Sequence, residues 1–479
     1  MNVLASRQDL DLFHYEMECI IRMFLPGEQV RFFDQQPEEE PIHIRVTGEG
    51  GRCAVTLETG DFSQCLEEDC GGSDKDRERA VCRLLFRLLQ SRTGKTFAWG
   101  TLTGVRPVKL VRRLREQGMG EAEIEERLGR DYLTSPEKVR LCLNTDQNQR
   151  DILDSAAPGD CSLYVSIPFC PSRCSYCSFV SHSVEKSRAL VPEYLEKLYE
   201  ELAVTGELLR EKGLRLRTVY VGGGTPTVLD AGQLRGLMDV LRARFPMDAC
   251  QEFTVEAGRP DTIDREKLEI LANAGVERIS INTQSMSNAV LRAVGRNHTK
   301  DQFLRAFMTA KEFDFTVNVD LIAGLEGETA DSFCTSLDQV VALGPQNITV
   351  HTLTLKRAST LYGEKNLQLP GDIPVGDMVD YAHRTLAAAG YAPYYLYRQK
   401  NTVDSLENVG YAKGDSRCAY NIFIMDETHT ILSAGGGGVS KIVRGEQDIR
   451  RIFNYKYPYE YVQRFPQVLA RKQALRELL

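Results

Sequence analysis

The sequence predicts an α/β protein built on a parallel sheet of six βα units, wound either as a partial TIM-like (βα)6 barrel or as an open doubly wound sheet. Three observations carry that expectation. Short β-rich runs alternate with amphipathic runs between residues 161 and 355. A cysteine-rich and then a glycine-rich segment follow directly after the first two β-rich runs, where loops at strand C-termini would fall. The chain has 479 residues, 42% hydrophobic and 26% charged, an ordinary globular balance for about three domains.

The strands are expected over 163–169, 218–222, 252–256, 278–283, 315–321 and 347–353, and the helices between them over 194–210, 233–244, 265–274, 301–312 and 332–343. Right-handed winding closes a barrel at eight units, so six leave it open on one side. Residues 1–155 read as an N-terminal α+β domain. Ile42 to Val46 and Cys53 to Leu57 alternate like two strands around Gly48-Glu49-Gly50-Gly51. Val81, Leu84, Leu85, Leu88 and Leu89 recur at helical spacing, and further helix runs between Arg115 and Leu143. Asn148 to Asp160 is polar and reads as a linker into the core, 156–360. Residues 361–479 read as a small α+β C-terminal domain: a helix over 378–389, an aromatic strand at Tyr394 to Tyr397, and a strand pair at 422–425 and 430–432 before Gly435 to Gly438.

Composition narrows the class. Lys plus Arg is 59 against 67 Asp plus Glu, a net charge of −8, which argues against nucleic-acid backbone binding by the whole molecule. No apolar run approaches the ~18 residues of a membrane span. The segment from Met1 to Glu18 lacks the basic-then-apolar order of a signal peptide, so a cytoplasmic location is expected. Thirteen cysteines, an odd number scattered over a long chain, do not read as a disulfide framework. Cys19, Cys53, Cys65, Cys70, Cys82, Cys142, Cys161, Cys250, Cys334 and Cys418 read as small hydrophobes.

The other three stand together in Cys170-Pro171-Ser172-Arg173-Cys174-Ser175-Tyr176-Cys177, with spacing C-x3-C-x2-C, on the loop after the first core strand. Three thiolates on one short loop can hold three irons of a cubane cluster and leave the fourth open to a small chelator. A structural zinc site would need a fourth ligand, and no second pair of cysteines supplies one. After the second strand comes Gly222-Gly223-Gly224-Thr225-Pro226-Thr227. It is either a tight βα turn or a loop whose glycines admit a ligand to the backbone. As the neighbour of the cysteine loop, it faces the same cavity.

The two motifs in this order resemble the radical S-adenosylmethionine (SAM) superfamily. The resemblance implies a radical SAM barrel, with a 4Fe-4S cluster on Cys170, Cys174 and Cys177. It also implies that Gly223, Gly224 and Thr225 receive the amino group of SAM. In that superfamily the open iron is chelated by SAM, and electron transfer yields a 5′-deoxyadenosyl radical. The preceding Tyr164-Val165-Ser166-Ile167-Pro168-Phe169 narrows the likeness to the oxygen-independent coproporphyrinogen III oxidases and their haem-chaperone relatives. By the same template Glu256, Gln284, Arg296 and Asp320 match SAM contacts, and Tyr164 and Tyr176 match further nucleotide-site positions. The family holds two SAM molecules, so these residues divide between them.

Bland alternatives stand beside these roles: a solvated acid for Glu256, a helix cap for Gln284 and a surface charge for Arg296. Asp320 lies within an apolar run, where a carboxylate needs a partner. Glu407 to Ala412, Cys418 to Asn421 and Ser433 to Gly438 are similar to the long bacterial coproporphyrinogen dehydrogenase paralogue, which has an extra N-terminal domain.

The resemblance implies oxidative decarboxylation of propionates to vinyl groups in haem biosynthesis, on a tetrapyrrole substrate or on haem, with a flavodoxin or ferredoxin as electron donor. Two positions depart from the family pattern, and the first opposes this. Phe179 stands where the authentic oxidase has a fourth cysteine, as in the chaperones, and Ser166 replaces the usual His. The alternatives are a haem-binding or haem-transfer protein and a radical enzyme acting on haem. For the propionates, Arg398 among its tyrosines and Arg106 with Lys109 are candidate cations, each with a purely structural alternative. His351, at the end of the sixth strand, reads as structural.

Overall fold

Apolar–polar alternation sets the first sheet. β1 (Asn2–Leu4), α1 (Arg7–Phe24), β2 (Arg31–Phe33), β3 (Ile44–Glu49), β4 (Arg52–Thr59) and β5 (Phe62–Asp69) give the strand order β2-β1-β3-β4-β5. Ile44, Val46, Val55 and Leu57 face inward onto α1 and α2 (Asp74–Thr93), whose first turn is capped by the Ser73 side chain. The outward face carries charge, and Cys65 on β5 is exposed rather than buried. Three more helices follow: α3 (Pro107–Glu116), α4 (Glu121–Tyr132) and α5 (Pro136–Asp154). The expected linker from 148 is therefore helical as far as Asp154. The computed structural model describes every residue except 39, 50, 105, 178–181, 355–373, 400–401 and 446–447, and leaves out the side chains of 182 and 186.

The chain divides into two compact units, Met1–Asp146 with Arg398–Lys400 and Asp404–Leu406, and Gln147–Tyr397 with Asn401–Val403 and Glu407–Leu479. Within the first, Arg398 lies over the Trp99 ring at 5.0 Å and donates to the carbonyls of Leu102 and Ser405. This candidate for a propionate is thus held by backbone acceptors and a ring face.

The second unit opens with β6 (Asp160–Ile167), then β7 (Phe169–Cys170), β8 (His182–Ser183), α6 (Val184–Ser187) and α7 (Val191–Glu211). The alternation continues through β9 (Arg215–Gly223), α8 (Ala231–Arg244), β10 (Glu252–Glu256), α9 (Arg265–Asn273) and β11 (Arg278–Ser280). A short α10 (Asn288–Ala293), not expected from the periodicity, precedes α11 (Lys300–Ala310), β12 (Thr316–Ala323), α12 (Ala330–Leu343) and β13 (Asn347–Thr352). Side chains of Asp230, Asp264, Thr299 and Thr329 cap the helices that follow them. The strands β6-β9-β10-β11-β12-β13 lie side by side, each parallel to the next. Both faces of such a sheet are covered, which is why these strands read as apolar runs.

After α13 (Val375–Ala388) come β14 (Ala392–Arg398), β15 (Glu407–Ala412), α14 (Ala419–Asp426), β16 (Thr430–Ala434), β17 (Val439–Val443), β18 (Ile449–Phe453), α15 (Pro458–Gln463) and α16 (Phe465–Leu478). The region expected as a small α+β domain contributes its strands to the same sheet. β15 pairs antiparallel with β13, and β16 pairs parallel with β6, giving eleven strands from β14 to β18. Residues 422–425, expected as a strand, lie in α14. Glu252, at the start of β10, accepts from the backbone N–H groups of Ala419 and Tyr420 and so caps that helix from a distant strand. Among the described residues no helix is long and apolar enough to cross a membrane.

One buried carboxylate fastens the C-terminal segments to the core. Glu201 on α7 is fully buried and accepts from the Gly435 N–H at 2.8 Å, the Tyr461 hydroxyl at 2.6 Å and the Asn454 amide at 2.8 Å, with Lys472 Nζ at 3.0 Å. Removing one member of a buried ion pair strands the other charge. Glu201→Ala is expected to lower the unfolding free energy by about 3–5 kcal/mol. Glu201→Leu with Lys472→Met should recover part of that loss in denaturant melts.

Candidate functional site

The cysteine loop leaves β6 through Pro168 and is built by backbone contacts with the next unit. The Gly224 N–H donates to the Ile167 carbonyl and the Thr225 N–H to the Phe169 carbonyl, both at 2.8 Å. A Cβ on Gly224 would stand 2.5 Å from the Phe169 oxygen, and Gly223 sits at φ +107°, so only glycine fits this approach. The Thr225 hydroxyl lies 3.5 Å from Cys170 Sγ. On the other side the Ser175 N–H donates to Val294 O at 3.1 Å, and the Ser172 hydroxyl to Gly295 O at 3.2 Å.

Two buried guanidinium groups lie against this loop. Arg296 donates to the Tyr176 hydroxyl at 2.8 Å, to the carbonyls of Asn282 at 2.6 Å and Gly258 at 3.2 Å, and to His298 Nδ1 at 3.4 Å. Burial, and then the charge of Arg296, hold His298 at about 3, so its ring is neutral and can accept. Arg259 reaches Ser172 and Cys174, and sequence reasoning gave it no role.

The other expected residues lie on the same strands. Tyr164 and Tyr220 are register partners on β6 and β9 and stack at 6.2 Å, with Tyr420 against both. Tyr220, which had no expected role, donates to Glu256 Oε1 at 2.5 Å. Burial pushes Glu256 from 4.5 up to about 7, against the lowering effect of that hydrogen bond. Asp320 on β12 accepts from the Asn318 amide at 2.7 Å and lies 3.6 Å from His351 Nε2, so the partner expected for this acid is a neighbouring amide and an imidazole. His351 reaches the Tyr397 hydroxyl at 3.4 Å.

Gln284 has φ +69°, and its backbone bridges to β12 through the Asp320 carbonyl and the Ile322 N–H. Its side-chain oxygen is buried without a hydrogen-bond partner, as is that of Asn282. A strained backbone that presents an unsatisfied acceptor is a common mark of a ligand site.

Among the described residues, no three His, Cys, Asp or Glu side chains converge as a finished metal-ligand set. The donors nevertheless fit an iron–sulfur cluster in kind. Three cysteines share one loop, two buried cations lie beside it, and the unsatisfied buried acceptors of Asn282 and Gln284 follow β11 in the same unit. Phe179 lies outside the described residues.

The sequence profile of the Radical SAM superfamily matches residues 164–340. The chain is 35% identical over 471 residues to the oxygen-independent coproporphyrinogen-III oxidase-like protein HemZ of Bacillus subtilis, covering 95% of this chain and 94% of that protein. The chain belongs to the radical SAM superfamily. Within it, the chain falls in the family of that protein and of the haem chaperones HemW. The chaperone of Escherichia coli is 30% identical over 303 residues, covering 63% of this chain and 75% of the chaperone. In fold the chain resembles the E. coli coproporphyrinogen III oxidase HemN, a radical SAM enzyme, with a TM-score of 0.54 and 24% identity over 66% of this chain and 71% of that one. Membership implies a 4Fe-4S cluster and SAM.

Glu256 has a measurable consequence. Between 4.5 and about 7 its folded-state carboxyl keeps a proton that the unfolded chain has released, so its contribution to stability falls as pH rises through that window. The stability of Glu256→Gln relative to wild type, both ligand-free, should therefore grow across the window by a few kcal/mol at most, at about 1.4 kcal/mol per unit. Denaturant melts at about pH 5 and pH 8 check it. A difference that does not change with pH would contradict it.

Proposed function

We propose that this protein is a radical SAM enzyme for the oxygen-independent oxidative decarboxylation of coproporphyrinogen III, turning propionates into vinyl groups to give protoporphyrinogen IX in haem biosynthesis. The observation that carries this reading is the set formed by Glu256 at the end of β10, Asp320 on β12 and Gln284 just beyond β11, bridged to β12, in the unit that carries the cysteine loop. The near full-length likeness to an oxidase-like relative supplies the substrate class.

In this reading residues 156–360 form a core that curls into a partial (βα)6 barrel, and 361–479 cover the substrate. Cys170, Cys174 and Cys177 hold the cluster. When bound, the cluster and SAM supply a carbon radical that abstracts hydrogen. Gly223, Gly224 and Thr225 let a ligand's amino group approach the backbone. Glu256, Gln284 and Asp320 offer acceptors to hydroxyl and ammonium groups. Arg296 and Tyr176 brace the loop, and Tyr164 supplies a ring face. The residues divide between two SAM molecules. Each propionate gives up one hydrogen atom from the carbon beside the pyrrole, then CO2, and the last electron passes to an acceptor. A flavodoxin or ferredoxin supplies the reducing electron.

Phe179, at the position of the oxidase's fourth cysteine, favours a second reading, a protein that binds or transfers haem without decarboxylation. Anaerobic turnover with SAM and coproporphyrinogen, analysed by mass spectrometry, separates the two. Protoporphyrinogen with 5′-deoxyadenosine is expected. Haem binding without turnover supports the second reading, and haem consumption would point to a radical enzyme acting on haem. Cys174→Ala is expected to lose most of the roughly four irons per chain and the ~400 nm absorbance of the reconstituted protein. Full iron content in that variant would refute the ligand assignment.

A further inference from the structure

Arg259 is 3% exposed, and its guanidinium is aimed at the cysteine loop. Nη1 donates to Cys174 Sγ at 3.7 Å and to the Ser172 carbonyl at 3.4 Å, and Nη2 donates to the Ser172 hydroxyl at 3.1 Å. The back of the fork is held by Asp261, through Nε at 3.1 Å and Nη2 at 3.4 Å. The turn that carries both residues follows β10, so it is covalently tied to the strand ending in Glu256. A planar fork with a fixed carboxylate behind it can point in one direction only, which Lys could not reproduce.

We propose that Arg259, oriented by Asp261, is a positioning residue that fixes the Ser172–Cys174 segment and raises the reduction potential of the cluster held there. This inference rests on the cluster assignment made above. Reduction adds one negative charge to the cluster, and a desolvated cation donating to a ligating sulfur favours the more negative state. Asp261 opposes that effect while setting the geometry. Arg259 and Asp261 therefore act in opposite electrostatic directions although they share one structural role.

That opposition supplies the test. Full-length wild type, Arg259→Gln, Arg259→Lys and Asp261→Asn are reconstituted anaerobically and assayed for iron and sulfide. Each is then titrated with dithionite against mediators, with and without SAM, and followed by electron paramagnetic resonance. Arg259→Gln should make one-electron reduction about tenfold less favourable, a midpoint ~59 mV more negative. Arg259→Lys should fall between it and wild type, and Asp261→Asn should shift the midpoint the other way. Unchanged potentials at full iron content, or shifts of the same sign for Arg259→Gln and Asp261→Asn, would overturn the proposal and leave a merely structural pair. If Arg259→Gln loses its iron, Arg259→Lys and Asp261→Asn decide by the same signs. A wild-type protein that takes up no iron overturns the cluster assignment and this inference with it, whereas iron-replete variants with unmoved potentials overturn this inference alone.

Discussion

The site depends on a backbone-to-backbone clasp. The Gly222 to Thr225 turn presses onto the strand end from Ile167 to Phe169, with two N–H···O bonds of 2.8 Å and no room for a side chain between them. Tight packing leaves such a contact two discrete outcomes, made or broken, since added volume cannot be absorbed by small shifts. Because Cys170 begins immediately beyond Phe169, the clasp sets where the first thiol stands. The register Tyr164↔Tyr220 and Ile167↔Gly223 carries the same constraint down both strands and stacks the two tyrosines. A one-residue slip would turn every one of these side chains to the opposite face.

Around that clasp the two guanidinium groups are buried and differ in how they are met. Arg259 has a carboxylate partner in Asp261, whereas Arg296 is satisfied by a phenol, two carbonyls and a neutral imidazole. A guanidinium held only by neutral groups keeps its full field, because its hydrogen bonds are met without cancelling its charge. Two further acids lie in the same unit. Glu256 is pushed toward its neutral form, and Asp320 is tied to Asn318 and His351. The cysteine loop thus has two guanidinium groups beside it, one of them countered by Asp261.

The sequence made some of this legible and not the rest, and the difference follows sequence distance. The three cysteines and the glycine turn could be found because each is a short local pattern placed after an apolar run. Glu256, Gln284 and Asp320 came only through resemblance, since an acid or amide at a strand end has no spacing of its own. Arg259 contacts Cys174 across 85 residues, Glu252 caps α14 across 167, and Glu201 holds Gly435 across 234. Nothing local marks such partners. Residues 422–425 show the cost: an apolar tetrapeptide fits strand or helix equally well, and a carboxylate from another strand settles it. Tyr220 could have been found, because strand pairing puts it opposite Tyr164 once β6 and β9 are adjacent.

The strand that carries the cysteine loop is gripped from both sides. On the side of β9 the glycine turn holds Ile167 and Phe169. On the side of β16 the second glycine segment holds Ser166. The Ser166 hydroxyl donates to Gly436 O at 2.7 Å, and the Tyr194 hydroxyl donates to Ser166 O and accepts from the Gly436 N–H, each at 2.8 Å. Gly435 has φ +95°, and a Cβ there would stand 2.4 Å from Ser166 O, so this contact too is made by backbone. A larger side chain than Ser166 could not keep its place against Gly436 without displacing that segment. The serine and the glycine segment therefore constrain one another sterically. The C-terminal strands do more than cover the sheet edge next to β6: through Gly436 they fix the position from which the cysteine loop departs.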